Sequence, residues 1–207
     1  MVTLGKAEEN KRKKRNSLLK QSYKLFTTKG ISDTSITDIA NSAGVAKGTF
    51  YFYFKDKQDL IYHLIARKAE ALLVSSLEVM KDAEKENPDM PVEEKLVTIT
   101  DALLSDLAKD PALVKFLDKN LSLGFYVKAY TDESLITKIN VRDEYYRIIN
   151  SRGDRWRDDQ LMLYTIIELI SSTLHTVIVS EQPCSLTEYK PYLFDCIRAI
   201  VEVFREK

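Results

Sequence analysis

A chain of 207 residues with 44% apolar and 30% charged side chains is long enough for one large domain or a small domain joined to a larger one, and its two cysteines exclude a disulfide scaffold. The formal net charge is zero, yet residues 1–57 hold twelve Lys/Arg against five Asp/Glu, a net of +7 that the remainder balances. A basic end on a neutral chain points to a polyanion there, while the absence of an apolar run of ~18–20 residues and of a signal-peptide core leads to the expectation of a cytoplasmic protein with no membrane partner.

Only six glycines and five prolines are available to punctuate strands, which favours helices. Residues 1–15 read as a flexible basic arm, with Lys11 to Arg15 an unbroken cationic run. The first helix follows, with Leu18, Leu19, Ser22, Tyr23 and Phe26 on one stripe and Gly30 placed to end it. A second helix starts at Ser35, where Asp38 completes the spacing of a capping box, and Ile36, Ile39 and Ala40 form its buried side. Gly44 suits a tight turn before a short third helix over residues 47–53. A fourth helix runs from the N-cap Asp56 through Leu60 and Leu64 toward Met80.

The charged stretch from Lys81 to Pro91 reads as the main loop. A fifth helix covers about 92–109, and Asp110-Pro111 is an N-cap with an N1 proline opening a sixth. Gly124 is expected to bend the next segment, before a seventh helix over about 133–150 and a turn at 151–153. Two strongly apolar helices close the chain, one over about 154–180 and one from Ser185, which forms another capping box with Glu188. The last carries Leu186, Tyr189, Leu193, Cys196, Ile197, Ile200, Val201 and Phe204 as a helical stripe. About nine helices and no strand-like alternation make the fold all-α.

The informative segment is TSITDIANSAGVAKGTFYFYFKDKQD, residues 34–59. Two short helices separated by a glycine turn form a helix-turn-helix. Its second helix is built to read DNA: Lys47 offers a cationic donor, Gly48 permits close backbone approach, and Thr49 has a hydroxyl and a methyl. Tyr51 and Tyr53 bring phenolic hydroxyls, read as lying on the same side, and Phe50, Phe52 and Phe54 are read as including core residues, not contacts. Lys55 and Lys57 open the next helix, where cations and free N–H groups suit phosphate.

This segment resembles the N-terminal DNA-binding domain of the TetR-family (tetracycline-repressor-like) regulators. The likeness rests on a Ser/Thr-capped helix ending in Ile-Ala, then Ala-Gly-Val, Lys-Gly-Thr-Phe-Tyr, a Tyr-Phe pair and Lys-x-Lys, and it covers about residues 15–64. Ala46 departs from it, standing where many members have a capping serine. The resemblance implies a three-helix helix-turn-helix domain at 1–57 and a helical ligand-binding and dimerisation domain at 58–207. It also implies base or backbone contacts from Lys47, Gly48, Thr49 and Tyr51, and phosphate contacts from Tyr53, Lys57, Ser35 and Thr37.

For the remainder, the resemblance implies that the last two helices pair with a second copy in a four-helix bundle, through Leu174, His175, Ile178, Tyr189, Leu193, Ile197, Ile200 and Phe204. It further implies a pocket for a small organic effector, with Leu103, Phe116, Asn120, Phe125, Tyr126, Tyr130, Tyr145, Tyr146, Tyr164 and Glu168 as candidate lining. That mixture suits an aromatic or amphipathic ligand. Glu168 and His175 share one helix face, with His175 favoured for the dimer interface.

A phosphate loop, a nucleophile elbow and a recognisable metal-ligand spacing are all missing, so no catalytic residue, metal or cofactor is expected and the chain is read as a non-enzyme. The expected function is a sequence-specific, ligand-responsive repressor, a homodimer on a palindromic double-stranded DNA operator. An activator of the same fold is one alternative, and a small-molecule-binding helical adaptor without DNA readout is another; the intact Lys47 to Lys57 set argues against the adaptor.

Overall fold

The computed structural model describes residues 5–117 and 141–206. Among the described residues there are nine helices: α1 Lys6–Thr28, α2 Ile36–Ser42, α3 Lys47–Tyr53, α4 Lys57–Glu86, α5 Val92–Ala108, α6 Pro111–Leu117, α7 Val141–Ile149, α8 Asp159–Val179 and α9 Leu186–Phe204. The one sheet-like feature among them is an isolated antiparallel bridge between Trp156 and Arg205. The chain divides after Leu64 into two compact units.

The first unit closes over Leu18, Leu19, Phe26, Ile39, Ala40, Phe50, Phe54, Leu60, Ile61 and Leu64, all buried. α1 does not begin near residue 15 behind a flexible arm: the helix already starts at Lys6. No proline or glycine interrupts this stretch, acidic Glu8 and Glu9 sit in the first turn, and they pair with Lys11 at 3.6 Å and Lys13 at 2.8 Å. Gly30, at φ +96°, follows the helix end as expected. The unit runs past Lys57 to Leu64 because the first turns of α4 are tied back into it. An Arg15 Nη2 lies 3.2 Å from His63 Nδ1, and the Phe54 ring packs 5.5 Å from the His63 ring.

In the second unit α9 packs on α8 and α5, and α6 packs on α8. Its core includes Leu72, Leu77, Met80, Leu96, Leu104, Leu107, Met162, Ile166, Leu193, Ile197 and Val201. α4 continues to Glu86, through half of the stretch expected as a loop. The charges that read as a loop are the helix's own partners: Lys81 reaches Glu144 at 2.7 Å, and Glu84 receives the buried Lys95 at 2.6 Å and Arg147 at 3.2 Å. Asp110 caps α6 through the Leu113 N–H at 3.0 Å. α8 starts at Asp159 and not near 154, since Asp158 caps it through the Leu161 N–H while residues 155–157 pair with the chain's end. The Gly124 bend and the first part of the expected seventh helix lie outside the described residues. Contrary to the expectation that no segment is apolar enough, α8 is long and apolar enough by composition to cross a membrane, its six hydroxyl residues, Glu168 and His175 being diluted among aliphatic ones.

Candidate nucleic-acid interface

The helix-turn-helix is fixed first at α2. The Ser35 hydroxyl accepts the Asp38 N–H at 3.1 Å, and the Asp38 carboxylate accepts the Ser35 N–H at 3.0 Å, a reciprocal cap. Lys29 adds an ammonium at 3.0 Å from the same carboxylate. The backbone N–H of Ser35, then Lys29 and the Ser35 hydroxyl, hold the Asp38 carboxyl down at about 2. Gly44 makes the turn at φ +69°, a left-handed conformation that suits glycine, and the Val45 N–H closes it on the Ala40 carbonyl at 3.0 Å. Ser17 of α1 donates to the Ala43 carbonyl at 3.2 Å, anchoring the turn.

α3 follows, with Ala46 at its N-cap supplying no side-chain bond. Phe50 and the C-capping Phe54 are buried, with ring centroids 5.7 Å apart, and the Arg15 guanidinium lies 5.5 Å over Phe54. This pair sets the helix rotation. The opposite face then carries Gly48, Tyr51 and Phe52 at helical spacing, with Tyr51 52% and Phe52 68% exposed. Lys47 and Lys55 are exposed at the two ends, and Thr49 is half-buried.

Several expected placements change. Tyr51 and Tyr53 do not share a side, because residues two apart on a helix are about 200° apart; Tyr53 is half-buried, with its ring 5.0 Å from that of Phe52. Phe52 is no core residue, and the signal that finds it is its three- and four-residue spacing from Thr49 and Gly48 on the side away from Phe50. Lys57 donates to the carbonyls of Ile31 at 2.9 Å and Thr34 at 3.1 Å, so its ammonium ties α4 to the loop before α2. Two N–H groups at the start of α4 are already taken: Asp56 accepts the Asp59 N–H at 2.8 Å, and Asp59 accepts the Lys55 N–H at 2.8 Å. Ser35 and Thr37 are exposed at the start of α2.

In the second unit, a cavity of about 100 Å³ lies between α4, α5 and α8, walled by Leu73, Ile99, Leu103, Ile166 and Ile170. Of the candidate pocket residues that are described, only Leu103 lines it. Phe116 and Tyr145 are buried elsewhere, the Tyr145 hydroxyl donating to the Asp159 carbonyl, and Tyr146 lies under the Arg142 guanidinium. Tyr164 is 47% exposed and Glu168 half-buried outside the lining. Asn120, Phe125, Tyr126 and Tyr130 lie outside the described residues. Of the candidate interface residues, Leu174, Leu193 and Ile197 are buried within the single chain, because they face the α8, α9 and α5 packing, and are core. His175, Ile178, Tyr189, Ile200 and Phe204 keep partial exposure, beside exposed Leu161, Tyr192 and Val203 that the sequence reading missed. Among the described residues no cluster of three metal-ligating side chains occurs.

Residues 18–64 match the model of the bacterial regulatory proteins, tetR family. An HTH-type transcriptional regulator of Staphylococcus aureus (strain USA300) is 26% identical over 177 residues, 84% of this chain and 86% of its own. The fold is similar to that of the transcriptional regulator FadR from Bacillus subtilis in complex with stearoyl-CoA, with a TM-score of 0.56 and 24% identity over 88% of this chain and 96% of that one. It is also similar to a TetR-family regulator from Streptomyces coelicolor A3, with a TM-score of 0.58 and 15% identity over 98% of this chain and 99% of the other.

Proposed function

We propose that this chain, a TetR-family DNA-binding transcriptional regulator by the match of residues 18–64 and by its relatives, is a ligand-responsive repressor that acts in the cytoplasm as a homodimer on a palindromic operator. The observation that carries the reading is the exposed face of α3. Gly48, Tyr51 and Phe52, flanked by Lys47, stand on a helix whose opposite side is locked by Phe50 at 0% exposure. Such a face suits the major groove, where Lys47 donates to base edges or phosphate, Gly48 lets the backbone approach, and the two rings offer apolar contact to thymine methyls. Ser35 and Thr37, at the N-terminus of α2, are assigned to the flanking phosphates.

Support for the dimer comes from α8. It is apolar enough for a bilayer, yet only 28% of its most apolar window is buried within one chain. A second copy is the cover assigned to that surface, with Leu161, Tyr164 and Ile178 of α8 and Tyr192 and Val203 of α9 as its contacts. Two-fold symmetry then presents two α3 helices to half-sites about 34–36 Å apart. The cavity supports an effector role, and stearoyl-CoA on the Bacillus FadR makes an acyl chain the first class to test. Repression is the assigned sign, since a dimer across two half-sites occludes a promoter until effector binding favours another spacing of its readers.

Selection of binding sites from random duplexes, followed by gel-shift titration at several salt concentrations, tests the reading. A palindromic consensus, with affinity falling steeply with salt, is expected. Tyr51→Ala should weaken binding at least tenfold with the dimer intact by light scattering; equal affinity removes Tyr51 from the contacts. A strict monomer at micromolar concentration defeats the symmetric model.

A further inference from the structure

The walls of the cavity in the second unit are hydrocarbon apart from two hydroxyls, those of Thr100 and Ser171. A hydroxyl inside a helix ordinarily donates to the carbonyl one turn back. Thr100 does so, to Leu96 at 2.8 Å, as do Ser22 to Leu18 at 2.6 Å and Ser76 to Leu72 at 2.9 Å. Ser171 breaks the pattern. It is 5% exposed, it lines the cavity, and its Oγ has no hydrogen-bond partner among the described residues.

A buried hydroxyl without a partner opposes folding unless something else supplies one. Water is a poor supplier here, because an ordered water needs about two to four polar partners and Thr100 has already spent its proton. A charged group is poorer still: among the described residues no ionisable side chain lines the walls, and an ion taken from water without a counter-ion is strongly disfavoured. Size narrows the class further. At about 100 Å³ and partly open to its surroundings, the cavity holds a short stretch of a slim chain whose remainder extends outside the walls.

We infer that this cavity takes the hydrocarbon chain of an uncharged ligand bearing an acceptor oxygen, a carbonyl, ester or ether, to which the Ser171 hydroxyl donates. The inference deepens the effector reading above and rests on it. Of the aromatic or amphipathic ligand expected from the sequence it takes the amphipathic class, and it places any charged head group outside the walls.

The test is calorimetric titration of the full chain with 2-octanone and with octylammonium chloride, which share chain length and differ in head group. Saturable binding of the ketone is expected, with octylammonium at least tenfold weaker. Ser171→Ala should weaken the ketone by about three- to tenfold, the worth of one neutral hydrogen bond, and leave the thermal midpoint unchanged or raised. Ile170→Phe, which fills the space, should abolish binding in a protein whose circular dichroism is that of the parent. Equal ketone affinity of Ser171→Ala and parent overturns the inference, as does octylammonium binding as tightly as the ketone, or no saturable ketone binding. Gel shifts on the same preparation keep the two readings apart. Ketone binding without any change in DNA affinity supports the cavity assignment and sinks the effector role. Intact DNA binding without ketone binding overturns the cavity assignment alone.

Discussion

Lys95 sits 2% exposed at the start of α5, with its ammonium 2.6 Å from Glu84 Oε1 and 2.9 Å from Ser151 Oγ. Removing either member of the pair should have unequal effects. Lys95→Met keeps the packed stem and leaves Glu84 with Arg147 at 3.2 Å and 24% exposure. Its cost is therefore that of one charge-assisted hydrogen bond, about 1.5–3 kcal/mol. Glu84→Met leaves the ammonium buried with a single hydroxyl, and an uncompensated buried charge costs about 3–5 kcal/mol. The double variant should recover much of the larger loss, because no charge is then stranded. Urea unfolding at one fixed protein concentration, followed through the sole tryptophan, reads these values; Trp156 donates to the Ile149 carbonyl at 3.2 Å in the same unit. The pair also has a pH signature. The hydrogen bond from Lys95 leads the causes that hold the Glu84 carboxyl below its ordinary 4.5, so its stabilisation is full above that value and fades as the pH falls through the lower folded one. The gap between parent and Lys95→Met should narrow accordingly below pH 4.5. If Lys95→Met is the more damaging single change, or if both cost under about 0.5 kcal/mol, the burial argument is refuted.

Four further outcomes follow from the helix-turn-helix. Gly48→Ala adds a Cβ that meets nothing within 4 Å, so it should raise thermal stability by up to about 1 kcal/mol while weakening the operator gel shift; a variant that is stabilised and binds equally well would falsify the close backbone approach. Gly44→Ala, at φ +69°, should instead lower stability by about 1–2 kcal/mol, and an unchanged melting temperature contradicts the turn geometry. Lys57→Met should leave the salt dependence of DNA binding unchanged, as a tie between loops and not a phosphate contact; a decrease in the log-log slope of about 0.9 assigns it to phosphate after all. Ser35→Ala removes the cap of α2 at a cost of about 1 kcal/mol in denaturant unfolding, and Ser35→Asp should restore most of it.

What could be read from the sequence was local. The capping boxes at Ser35 and Ser185, the Gly44 turn and the α3 limits Lys47–Tyr53 depend on residues a few positions apart, where spacing dictates geometry. The reader segment was legible for the same reason. The tie from Lys57 to Ile31 and Thr34 was not legible because its partners are backbone carbonyls far back along the chain, which no side-chain pattern announces. The exposure of Phe52 was not legible because an aromatic run hides helical phase until one ring is known to be buried. Leu174, Leu193 and Ile197 look the same whether their stripe faces α5 or a second copy, and only packing separates the two. The charged run after Met80 read as a loop because its helix is held by ion pairs reaching α5 and α7. The cavity was invisible for the converse reason: a missing bond at Ser171 leaves no trace in the residue order.

The helical start of α1 has a consequence for how engagement with DNA can be watched. Between Lys6 and Lys14 no side chain is buried, and Lys11 to Lys14 repel one another along a helix held by its backbone and two exposed ion pairs. So short an uncovered helix is marginal in water. Its amide protons therefore exchange with solvent far faster than those from Leu18 to Phe26, which lie over the core. Any polyanion that neutralises those cations should slow this exchange whatever its base sequence, whereas, on the proposed reading, the amides around Gly48 and Tyr51 should respond only when the bases fit. Deuterium uptake in the two segments thus separates the moment the protein finds DNA from the moment it finds its site.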